Sequence, residues 1–115
     1  MSTIQKFKLV FFSPAPNTRA ILAHLFRKYP EELGKIGLYE QCAFVSRGTG
    51  QYKPLEDAQP AIGTPGTLEY IEEDRVELLV IDQGQKVQLK NAVQELKKVH
   101  PYEEVAYDIY RLEEI

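Results

Sequence analysis

The segment Phe7-Lys8-Leu9-Val10-Phe11-Phe12 limits the possible folds more than any other stretch of this chain. It is short, aromatic and aliphatic. On an extended backbone Phe7, Leu9 and Phe11 face one side, and Val10 and Phe12 face the other. Such a strand belongs inside a sheet and needs cover on both faces. Ser13-Pro14-Ala15-Pro16 closes it, because proline has no N–H to give to a ladder. With 115 residues there is room for one hydrophobic core, so residues 1–115 read as a single domain.

Two helical patterns follow. Ile21, Leu22, Leu25, Phe26 and Tyr29 form one stripe at helical period over Thr18–Tyr29, with Asn17 as the expected N-cap. Leu89, Ala92, Val93, Leu96 and Val99 form the second over Gly84–Val99, ended by His100-Pro101. Three more strands are expected, at Leu38–Ser46, Thr67–Ile81 and Tyr102–Leu112. Arg47-Gly48-Thr49-Gly50 reads as a turn, with Gln51–Pro54 returning as a short hairpin arm. Pro54–Gly66 holds three prolines and two glycines and reads as a long ordered loop, a feature that often carries function.

The order β-α-β, β-α-β gives an α+β fold, the ferredoxin-like βαββαβ sandwich. Four main antiparallel strands carry two helices on one face, with a hairpin and long-loop insertion. The expected strand order is 4-1-3-2. The sheet face away from the helices would then carry Val10 and Phe12 uncovered, which points to an interface between copies. A formal charge of −3, from 14 basic and 17 acidic residues, argues against a nucleic-acid partner. The longest apolar runs have four residues, so no membrane span is expected. A single cysteine and an N-terminus that runs straight into a strand fit a cytoplasmic protein.

Several runs together carry a family resemblance: Gly34-Lys35-Ile36-Gly37-Leu38-Tyr39, Cys42-Ala43-Phe44, Arg47-Gly48-Thr49-Gly50, Pro60-Ala61-Ile62-Gly63 and His100-Pro101-Tyr102-Glu103-Glu104-Val105-Ala106-Tyr107-Asp108. Over Phe7–Leu112 the chain resembles the inserted middle domain of the NGG-interacting-factor-three (NIF-three-like) proteins, here as a stand-alone version. That resemblance implies a PII/CutA-like fold, a homotrimer, and ligand clefts between subunits. It also implies that the family's metal-binding His, Asp and Glu residues lie in flanking domains, so the full-length activity does not carry over to a chain whose histidines are His24 and His100.

The candidate site residues each have two readings. Cys42 and His100 could pair as nucleophile and base. The expected strand order sets them on opposite sheet edges, able to meet only across a subunit boundary, and alternation with Phe44 makes Cys42 a small buried hydrophobe. His100 with Glu103 could ligate a divalent metal between subunits. Alternatively His100 ends its helix at the negative end of the dipole, with Glu103 or Glu104 fixing the ring. Arg47, Gly48, Thr49 and Gly50 offer the ingredients of an anion nest, or only a tight turn. They are not a phosphate-binding loop of Walker type, because Val45 and Gln51 stand where its glycine and lysine belong. Tyr102, like Tyr107 and Tyr110, is expected to pack and hydrogen-bond rather than to act as an acid.

The sequence thus predicts a non-catalytic regulatory or interaction module. Its ligand-binding candidates are Cys42, Arg47, Gly48, Thr49, Gly50, His100, Tyr102, Glu103 and Glu104. Its expected partners are further copies of itself, with a small anion or a metal ion as ligand. The rivals are a metal-dependent hydrolase with sites at subunit boundaries, and a protein-interaction domain that docks through the loop after Pro54.

Overall fold

The computed structural model describes residues 3–115; Met1 and Ser2, part of the expected run into the first strand, lie outside the described residues. Strand β1 (Gln5–Pro14) leads through a short 3-10 turn into helix α1 (Thr18–Lys28). Strands β2 (Phe44–Tyr52) and β3 (Glu69–Asp82), helix α2 (Val87–Val99) and strand β4 (Tyr107–Leu112) follow. The sheet is antiparallel throughout, in the order β2-β3-β1-β4, which is the expected 4-1-3-2 arrangement. The ferredoxin-like α+β sandwich is therefore correct.

Period-two alternation decides which side chains meet the helices. Phe7, Leu9 and Phe11 of β1 and Val76, Leu78 and Val80 of β3 are buried with Ile21, Leu25 and Phe26 of α1 and Leu89, Ala92 and Leu96 of α2. Both helices therefore cover one face. Across the gap between them His24 Nε2 lies 2.6 Å from Glu95 Oε1, and that contact holds the Glu95 carboxyl below its ordinary range. The opposite face has no helix. Contrary to expectation, Val10 and Phe12 do not stand uncovered there: Val10 is buried and Phe12 partly buried, while Phe44 and Tyr110 stand 67% and 51% exposed. Among the described residues no helix is long and apolar enough to cross a membrane.

Element ends differ from the sequence expectation: β1 runs from Gln5 on through Pro14, which still stands opposite Glu73 in the ladder, and other ends and caps shift as well. Asn17 makes no side-chain cap; Ser13 Oγ and Thr18 Oγ1, 2.6 Å apart and buried, tie the strand end to the start of α1 instead. Helix α2 begins at Val87 rather than Gly84, because Asp82 caps it from the end of β3. The Asp82 carboxylate accepts the N–H groups of Gly84, Lys86 and Leu89 at 2.8–3.0 Å. Strand β4 starts at Tyr107 and not Tyr102, with a loop over 100–106. The largest difference is β2. It starts at Phe44 rather than Leu38 and runs straight through the expected turn, pairing Arg47, Gly48, Thr49 and Gly50 with Asp74, Glu73, Glu72 and Ile71. Ladder bonds to β3 satisfy these backbone groups, so the glycines need no turn geometry; their φ values are not positive.

Candidate functional site

Gly48 and Gly50 lie on the uncovered sheet face, where successive even residues of β2 point. A Cβ added at Gly50 would fall 1.8 Å from Glu73 Oε1, so the absence of a side chain there lets the Glu73 carboxylate lean across the strand. Glu73 faces the same side and stands opposite Gly48. Its other oxygen accepts the Tyr102 hydroxyl at 3.0 Å. The glycines therefore make a floor, and Glu73 divides it.

Two adjoining hollows result, sharing Phe12, Gln51 and Glu73. The shallower is lined by Ser46–Gln51 and Arg75. The deeper, about 380 Å³, has a floor of Phe12, Tyr52 and Ala106 and a side wall of Tyr102, Glu103 and Glu104. The long loop closes it with Pro54, Ala58, Pro60 and Ala61. That loop is ordered by its own bonds: Gly66 N–H to the Pro54 carbonyl at 2.7 Å, Tyr52 O–H to the Ile62 carbonyl at 2.6 Å, and Gln59 N–H to Glu103 Oε1 at 3.1 Å. The Tyr52 and Tyr102 ring centroids are 6.0 Å apart. Burial, followed by the hydrogen bond to Glu73 and that group's charge, pushes the Tyr102 phenol well above its usual range; Tyr52 is raised too, by burial and by Glu69 and Glu73.

His100 lies behind this wall and has no free nitrogen. Its Nε2–H donates to the Phe12 carbonyl at 2.6 Å, and Nδ1 accepts the Tyr102 N–H at 3.1 Å. An imidazole that accepts at Nδ1 is the neutral Nε2–H tautomer. Burial lowers its pKa, against the opposing effects of the Phe12 bond and of Glu73. Neither Glu103 nor Glu104 fixes the ring, contrary to expectation; Phe12 and Tyr102 do. A metal on His100 would have to displace one of these bonds, and among the described residues no three His, Cys, Asp or Glu side chains are grouped to hold an ion.

Two further expectations are corrected. Cys42 is half-buried in the loop before β2, its N–H bonded to the Gly34 carbonyl at 2.8 Å, while Phe44 is largely exposed. They do not form a buried alternating pair, and Cys42 is not in the groove. Arg47 points to the helical face, where Nε donates to Asp74 at 2.6 Å and Nη1 to Glu72 at 2.5 Å. Burial alone would raise Asp74; hydrogen bonds from Thr18 and Arg47 outweigh it and keep the carboxyl below its usual range. With the guanidinium committed and no positive φ in the strand, the anion nest is not formed. Of the residues singled out from sequence, Gly48, Gly50, Tyr102, Glu103 and Glu104 come together here. Glu73, Tyr52 and Phe12 were missed, and the one signal that pointed near them was the proline-rich length of the loop.

No family model matches the chain. Over 111 residues, 96% of its length, it is 42% identical to a protein named GTP cyclohydrolase 1 type 2 homolog from Halalkalibacterium halodurans. The solved structure of a Bacillus cereus protein related to NIF3 superposes with a TM-score of 0.76 at 31% identity, covering 99% of this chain and 27% of that one. The divalent ion tolerance protein CutA1 from Ehrlichia chaffeensis gives a TM-score of 0.64 at 18% identity, covering 100% of this chain and 86% of that one, a likeness of fold. This chain spans about a quarter of the length of the curated relatives it matches.

Proposed function

From this kinship with one segment of the NIF-three-like proteins, whose fold is CutA-like, we propose that the domain is a non-catalytic binding module. It assembles with copies of itself, in the number of three that the family resemblance implies, and takes a small ligand in the groove between the long loop and Tyr102. One observation carries the reading: a proline-rich loop that could have stayed in solvent is tied down over an apolar, aromatic-lined hollow. Loops ordered around a concave space commonly serve recognition. Self-association is supported by the helix-free sheet face and by β2, an edge strand exposed along most of its length.

The residues present favour binding over catalysis. Cys42 lies beside Gly34, whose N–H bonds to the Leu79 carbonyl, whereas His100 reaches the far end of β1 at Phe12, so nucleophile and base are apart within a subunit. The activity in the relatives' name belongs to much longer chains. Incubation with GTP and zinc or manganese, followed by chromatography of the nucleotides, checks this. The domain is expected to leave GTP unchanged. Turnover by the purified chain that disappears in His100→Ala would overturn the binding reading in favour of the hydrolase.

A further inference from the structure

We propose that the groove selects an organic cation with a flat apolar body, an aromatic amine or amidine, over an anion or a metal ion. The inference rests on the groove being the domain's ligand site, and it names the ligand's chemistry. Phe12, Tyr52 and Tyr102 bring three aromatic rings to the hollow, with Pro54, Pro60, Ala58, Ala61 and Ala106 completing apolar walls. A planar body of one or two rings suits a space of about 380 Å³.

The polar groups decide the charge. The deeper hollow carries three carboxylates, Glu73, Glu103 and Glu104, against one ammonium, Lys53. Both tyrosine hydroxyls donate elsewhere, to Glu73 and to the Ile62 carbonyl. What remains for a ligand is chiefly acceptors: Glu73 Oε1, leaning over Gly50, and the rim carboxylate of Glu104. A ligand must therefore bring N–H donors and positive charge. The tyrosine faces add cation–π attraction for such a group. An anion would meet a net negative lining with Arg47 already bound to Asp74 and Glu72, and with Arg75 paired to Glu77 at 3.5 Å. A bare metal ion would find the carboxylates spread along the walls rather than gathered as a ligand set.

Tryptamine and indole-3-acetate test this, since they share a ring and differ in charge. Amide chemical shifts of the labelled full chain are followed during titration at low and high salt. The expected result is saturable binding of tryptamine with shifts at Tyr52, Ala58, Tyr102 and Glu104, weakened at high salt, and no saturation by indole-3-acetate. Glu73→Gln keeps an acceptor for Tyr102 and is expected to weaken tryptamine about 5- to 10-fold; Lys53→Gln is expected to strengthen it. Saturable binding of indole-3-acetate or of ATP at the same amides, in place of tryptamine, overturns the cation and leaves the groove as the ligand site. A groove whose amides respond to none of the three probes overturns both.

Discussion

Two single residues hold the ends of the second helix. At its start Asp82 is fully buried, and its carboxylate serves three backbone N–H groups that would otherwise be unpaired. Burial alone would raise its pKa, but the backbone N–H groups, Leu89 first and then Gly84 and Lys86, outweigh it and lower the value. A depressed carboxyl stabilises fully above the unfolded range near pH ~4 and loses that contribution as the pH falls through the lower folded value. Asp82→Ala is expected to cost about 2–4 kcal/mol in urea unfolding at pH 7, and Asp82→Asn less, with a shallower loss of stability on acidification. Wild-type-like stability in Asp82→Ala would contradict this capping role. At the helix end His100 works through both ring nitrogens and binds the loop to β1. Its burial is consistent with the apolar stripe that precedes it, but its two backbone partners are far apart in sequence (residues 12 and 102) and no spacing rule reveals them.

At the level of elements, β1 and both helices were legible because hydrophobic period is a strong local signal. β2 was not. Gly48 and Gly50 are local turn markers, and only the ladder to β3, more than twenty residues away in sequence, keeps the chain extended through them. The two glycines are not equivalent. A Cβ at Gly48 meets nothing within 4 Å, whereas one at Gly50 meets the Glu73 carboxylate. Gly48→Ala is expected to be neutral or to stabilise by about 0.5 kcal/mol, since alanine loses less backbone entropy. Gly50→Ala displaces a flexible side-chain end, so its cost in stability should stay below about 1 kcal/mol. Its signature is loss of the Tyr102–Glu73 bond, read as a fall in the Tyr102 phenol pKa by ultraviolet titration. Equal behaviour of the two variants would sink the account of the glycine floor.

For the whole molecule, strand order and the face carrying the helices follow from chain connectivity, so both were readable in the sequence. The groove was only half readable: its loop and its Tyr102–Glu104 wall announce themselves, but the register that brings Tyr52 and Glu73 to that wall does not. The same register leaves an elongated body, 51 × 25 × 24 Å, with the edge strand β2 exposed and its Phe44 and Val45 67% and 42% open. Exposed apolar groups on an edge strand favour pairing with another chain. Native mass spectrometry of the purified chain separates a self-assembling module from a solitary domain. A species of three copies that persists on dilution to low micromolar concentration is expected. A monomer at every concentration would contradict self-assembly.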